Sequence, residues 1–157
     1  GCLGVNCGIG SAFWRGINWT PIPPQLGGDT PDPALDSAGT PWLAVKSADL
    51  QVVKWDRTML NWPEATTALT TSASWRSPRL ALAPNGSPVV AWLDTSNGVR
   101  IGVARWTGTA WDTEFGQFNA GQIPANDLVP ELVVAARGNI WIAQRERTTA
   151  QDVASKY

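Results

Sequence analysis

A chain of 157 residues with 43% hydrophobic content suits one domain with enough apolar surface to bury a core. A formal net charge of −1, with Lys and Arg scattered, offers no basic stripe for phosphates and argues against nucleic acid. Histidine is absent, which removes the usual metal ligand and neutral-pH base, and two cysteines cannot build a four-thiolate site, so no metal or cofactor is expected.

No apolar run approaches the roughly 20 residues of a membrane span. The first ten residues, Gly-Cys-Leu-Gly-Val-Asn-Cys-Gly-Ile-Gly, are unlike anything later. Cys2 and Cys7 could close a small disulfide loop, implying an oxidising compartment. Gly1-Cys2 also resembles the junction at which bacterial lipoprotein signals are cut and the cysteine lipidated. Two free thiols are the third reading.

Residues 11–22 read as the end of a β unit, with a strand to Trp14, a turn at Gly16 and a strand through Trp19. A Pro/Gly-rich connector leads into three units whose turn glycines, Gly39, Gly86 and Gly138, lie 47 and 52 residues apart. Before each glycine comes a proline-led approach, aligned here at Pro33, Pro78 and Pro130. After each comes a strand carrying an alanine five places on: Ala44, Ala91, Ala143. A small residue at a fixed strand position is expected where neighbouring sheets approach closely.

The middle unit is the clearest. Short apolar runs alternate with turns at Asn85-Gly86 and Asn97-Gly98, where positive φ suits tight hairpins. Three antiparallel strands are expected, with a fourth over residues 110–118. Pro88, Val90 and Trp92 should face one way and Val89, Ala91 and Leu93 the other. Both sets are apolar, as a sheet covered on both faces requires.

A second column, Trp14, Trp55, Trp106 and Tyr157, is spaced 41, 51 and 51 residues apart, and each of the three tryptophans is followed across a short turn by Trp19, Trp62 or Trp111. Repeats of roughly 40 to 50 residues with four short strands each are the mark of propeller blades. The expected fold is therefore all-β: β-propeller blades of four-stranded antiparallel meanders, part of a larger ring. The segments are 1–10, then blades over 11–157, with a partial blade at 11–30, units at 31–72 and 78–124, and a partial unit at 130–157.

Chemistry-bearing motifs are sparse. Asn18-Trp19-Thr20 and Asn85-Gly86-Ser87 fit the N-glycosylation pattern, although the second is already explained as a turn. Asp36-Ser-Ala-Gly39-Thr-Pro-Trp42 resembles the Asp-box turn of sialidase-like propellers, without its leading serine and without counterparts in the other units. Glu64, Asp94, Asp112, Glu114, Glu131 and Glu146 show no spacing that unites a pair for acid–base work, so no catalytic residue is assigned. Trp75 lacks a repeat equivalent and precedes Arg76 in what reads as a crossing loop. An aromatic beside an arginine suits sugar stacking or protein contact, so Trp75 and Arg76 are the candidate ligand-binding residues, with seam packing as the alternative.

The runs Pro78-Arg-Leu-Ala-Leu-Ala-Pro-Asn-Gly-Ser-Pro-Val-Val-Ala-Trp92 and Ile101-Gly-Val-Ala-Arg-Trp-Thr-Gly-Thr-Ala-Trp111 resemble the repeat of bacterial secreted and cell-surface β-propeller proteins. The resemblance covers nearly everything from Ser11 onward. It implies an extracellular binding or scaffolding module, some members being lectin-like, without catalytic residues in the repeat. The expected partners are other propeller blades, in a longer chain or a head-to-tail oligomer, and a glycan or surface protein. The expected setting is extracellular or cell-surface, with lipid anchoring as one form of it. Two readings from other classes compete: a carbohydrate-active propeller enzyme completed by further blades, and a structural subunit of a surface layer or filament. The first of these requires several carboxylates gathered at the central opening.

Overall fold

Three turns of one kind set the register of the chain. In the computed structural model, which describes residues 11–14, 16–22, 28–47, 49–62, 67–69, 75–96, 100–113, 117–119, 130–145 and 152–156, these turns open at Asp36, Ala83 and Ala135. The N–H groups of Gly39, Gly86 and Gly138 donate to the opening carbonyls at 2.8, 2.7 and 2.8 Å. The opening N–H groups donate to the carbonyls of Thr40, Ser87 and Asn139 at 3.0, 2.9 and 2.8 Å. The glycines sit at φ 70°, 82° and 82°, so each hairpin is a tight turn closed by a left-handed residue, where a side chain would be strained. Asn97-Gly98 lies outside the described residues.

Around the first turn, β3 (Asp29–Leu35), β4 (Pro41–Lys46), β5 (Leu50–Lys54) and β6 (Thr67–Leu69) form an antiparallel sheet in chain order. The second repeats it with β7 (Trp75–Leu82), β8 (Pro88–Asp94) and β9 (Arg100–Trp106). Its fourth strand comes in two pieces, β10 (Trp111–Asp112) and β11 (Gln117–Asn119), both paired to β9. The third holds β12 (Glu131–Val134), β13 (Ile140–Arg145) and β14 (Asp152–Lys156). A two-stranded ribbon, β1 (Ser11–Trp14) with β2 (Trp19–Ile22), precedes them. Among the described residues every regular element is a strand, and no helix is long and apolar enough to cross a membrane.

The sheets stack face to face. β3 and β4 pack on β7, and β12 packs on β7 and β8, so the first strands of successive sheets run side by side. This is a set of antiparallel meanders, two of four strands and a third of three among the described residues, arranged as β-propeller blades with the first strand of each innermost. Trp62 Nε1 donates to Ser11 Oγ at 3.2 Å and ties the ribbon β1–β2 to the outer side of the first blade.

The second blade is apolar on both faces because each of its faces meets a neighbour. The seam between the first and second blades buries Ala44, Leu50, Val52, Leu69, Trp75, Leu80, Val90, Trp92 and Ala104. The seam between the second and third buries Val89, Ala91, Leu93, Ile101, Val103, Ile140 and Ile142. Val90 and Trp92 therefore face the first blade and Val89, Ala91 and Leu93 the third, the alternation that the strand period requires. Ala44 and Ala91, with no accessible surface, lie where each blade meets the next.

Two registers differ from the sequence-based expectation. The proline that begins the first unit is Pro31, not Pro33: Asp32 pairs with Ala44 as Arg79 does with Ala91 and Glu131 with Ala143. Trp75 belongs to a strand and not to a crossing loop. The chain extends backwards past Pro78 through a bulge at Ser77 (φ 52°), and Thr30 before Pro31 (φ 46°) does the same in the first blade. The bulge absorbs the proline, which cannot donate to the ladder, and lets pairing resume on its far side.

Candidate functional site

Trp75 is the first residue of β7, opposite Asp94. Its indole is 2% exposed and fills the seam between the first two blades, with Lys46 Nζ 5.9 Å from the ring centroid. A ring so placed packs the seam, which is the alternative that the sequence left beside ligand stacking. Arg76 follows, half-buried and opposite Leu93. Cys2 and Cys7 lie outside the described residues, as do Glu64, Glu114 and Glu146.

The turn at residues 36–42 is organised by one carboxylate. Asp36 Oδ1 accepts from the N–H groups of Ala38 and Thr40 at 3.0 and 2.8 Å, and Oδ2 accepts from Trp42 Nε1 at 3.4 Å. Lys54 Nζ stands 3.2 Å from Oδ2 and 5.1 Å from the Trp42 ring centroid. The Thr40 N–H above all, with help from Lys54 and Trp42, holds the Asp36 carboxyl down at about 2 against its ordinary 3.8. Both oxygens of this carboxylate are engaged, Oδ1 by the turn and Oδ2 by Trp42 and Lys54, so its role is to fix the hairpin and the adjoining tryptophan. Ala83 and Ala135 occupy the same place in the other blades and supply no carboxylate.

The innermost strands carry a different arrangement. Asp32, Arg79 and Glu131 occupy one register position in three successive blades, each opposite the recurring alanine. Because these strands are neighbours, the side chains meet. Arg79 Nη1 is 3.6 Å from Asp32 Oδ1, and Arg79 Nε is 3.6 Å from Glu131 Oε2. Asp32 Oδ2 also accepts the Leu80 N–H at 2.6 Å, and Arg79 Nη1 donates to the Pro78 carbonyl at 3.2 Å. The row thus runs from a largely buried acid, through a largely buried arginine, to an acid whose side chain is 69% exposed.

Burial pushes the Asp32 carboxyl above its usual value, and Glu131 pushes the same way; the Leu80 N–H and Arg79 oppose without cancelling. Both ion-pair distances exceed the 2.7–2.9 Å of a direct charge-assisted hydrogen bond. The guanidinium therefore keeps donor capacity, and the carboxylates keep acceptor capacity, for a third party. Donors and acceptors alternating along a row match a ligand rich in hydroxyl groups.

Glu131 shares its row with Asp32, an acid outside the six whose spacing in the sequence unites no pair. The signal was present: Asp32, Arg79 and Glu131 each lie seven residues before the turn glycine. Pro33, two residues beyond Pro31, masks this spacing in the first unit because it resembles Pro78 and Pro130. Asp94 instead closes a turn, accepting from the N–H and hydroxyl of Ser96 at 2.8 and 2.7 Å, and Asp112 lies in the outer strand β10. Among the described residues no group of three His, Cys, Asp or Glu side chains could hold a metal ion.

No protein-family model matches the chain, and no curated protein matches it. Among solved structures it is similar to a mutant of the GH43 protein BlXynB from Bacillus licheniformis, at TM-score 0.46 and 13% identity. The match covers 88% of this chain and 30% of that one, so the chain spans less than a third of that protein. A likeness of that degree says nothing about activity.

Proposed function

We propose that the chain is a non-enzymatic recognition or scaffold module built from propeller blades, holding a hydroxyl-rich ligand of glycan type on the row Asp32, Arg79 and Glu131. The observation that carries this reading is the shared register of three hydrogen-bonding side chains on neighbouring innermost strands, with Glu131 reaching solvent. Both carboxylates lean on one guanidinium, and the chain has no histidine, which favours binding over proton transfer. An extracellular or cell-surface setting belongs to the same proposal and draws on the resemblance to secreted propeller repeats.

A glycan array followed by calorimetry tests it. The wild type should bind a defined set of glycans, and Glu131→Gln should weaken that binding by about tenfold, equivalent to about 1.4 kcal/mol, while leaving the melting temperature unchanged. No binding on the array, or binding indifferent to Glu131 and Arg79, would remove the reading.

A second reading, a glycoside-cleaving site, is favoured by one observation: a carboxyl raised by burial shares a row with a second carboxylate, the kind of pairing acid–base hydrolysis uses. Turnover on a panel of chromogenic glycosides, abolished by Asp32→Asn, would establish it over the first.

A further inference from the structure

The seams between blades have two recognisable halves. On the side facing the next blade, a cross-strand pair from the first two strands lies against the neighbour: Ala34 with Trp42 in the first blade, Ala81 with Val89 in the second. On the side facing the previous blade, a tryptophan that follows the turn after the third strand closes the seam. Trp62 is 7% exposed and bonded to Ser11, and Trp111 packs on the first seam.

Both halves recur elsewhere on the molecule with large apolar side chains exposed to solvent. The cross-strand pair of the third blade is Val133 with Trp141, which are 61% and 40% exposed. Its equivalent in the second blade, Val89, has no accessible surface. In the ribbon β1–β2, Trp19 pairs with Trp14 as Trp111 pairs with Trp106, so it is the counterpart of Trp62 and Trp111. Trp19 is 66% exposed. The two faces are of opposite kinds, one next-facing and one previous-facing, so they are complementary and not self-complementary.

We infer that the Val133–Trp141 face of one copy docks on the Trp19 face of a second copy, head to tail, in a seam continuous in kind with the two inside the chain. Burial of large apolar side chains drives it, as in the internal seams. The contact is heterologous, so repetition closes a ring or extends a filament. The inference does not depend on what the inner row binds.

Sedimentation equilibrium over a wide range of concentration tests it. The expected result is association of the 16.8 kDa chain into dimers or larger species. Trp141→Arg alone and Trp19→Arg alone should each give monomers, since each removes one half of every contact. Mixed in equal amounts, the two should form a heterodimer, because one intact face of each kind remains. Circular dichroism matching the wild type checks that both variants fold, and Val133→Arg gives an independent version on the first face. A wild type that stays monomeric at every concentration overturns the inference. So does association of the wild type with no recovery on mixing folded variants.

Discussion

Two carboxylates in one blade respond to their surroundings in opposite directions. Asp36 is exposed to several donors and titrates near 2, whereas Asp32 is desolvated and titrates above 3.8. The lowered pKa of Asp36 means that its contribution to stability is present above pH 3.8 and is lost as pH falls towards about 2. Asp32 has the reverse sign: its contribution is present below 3.8 and is lost as pH rises through its raised folded value. Urea unfolding as a function of pH should separate them. Asp36→Asn should flatten the acid limb of the stability curve, while Asp32→Asn should compare best with the wild type at neutral pH and progressively worse on acidification. Equal behaviour of the two variants would contradict the environments described. Arg79 holds the largely buried Asp32 and the exposed Glu131 together, so Arg79→Gln should cost about 1–3 kcal/mol, between the values for surface and fully buried pairs.

The blade as an element rests on turn geometry and on complementary volumes across strands. Gly86 has φ 82° and nothing within 4 Å of where a Cβ would stand, so Gly86→Ala meets only the cost of a left-handed backbone, about 1–2 kcal/mol. Gly102 is the opposite case. It lies across the ladder from Trp92, whose indole occupies the space a Cβ would need. Gly102→Ala should therefore displace Trp92 and cost about 1–3 kcal/mol as overpacking, with a shift in tryptophan fluorescence that Gly86→Ala does not show. In the first blade the matching pair is Val45 opposite Gln51, a smaller residue facing a larger one. The recurring columns were legible because they follow backbone necessity: a left-handed turn tolerates glycine, and close seams require alanine. The bulges were not legible. Nothing in Thr30-Pro31 or Ser77-Pro78 announces that pairing resumes beyond the proline, and without the bulge Trp75 reads as loop. The inner row was hidden for a related reason, since Arg79 is opposite in charge to Asp32 and Glu131 and only register makes the three equivalent.

At the scale of the molecule the second blade is the link between two separate cores. One core joins it to the first blade and the other to the third, and the alternate residues of β8 divide between them. Stacked units of this sort behave approximately as a line of intrinsic blade stabilities and nearest-neighbour seams. A change in one seam should therefore loosen its own two blades before it is felt by the third. Ile142 is 2% exposed and projects from β13 into the seam shared with Leu93 and Ile101. Ile142→Ala should cost about 2–5 kcal/mol through lost burial and the cavity left behind. Hydrogen exchange should report where that loss falls: protection should drop in β12, β13 and β9, while amides of β4 and β5, held by the other seam, keep most of theirs. Leu50→Ala, on the first seam, should give the mirror pattern, sparing β13. Uniform loss of protection across all strands in both variants would mean that the blades unfold as a single cooperative unit, and that the seams do not act as separable interfaces.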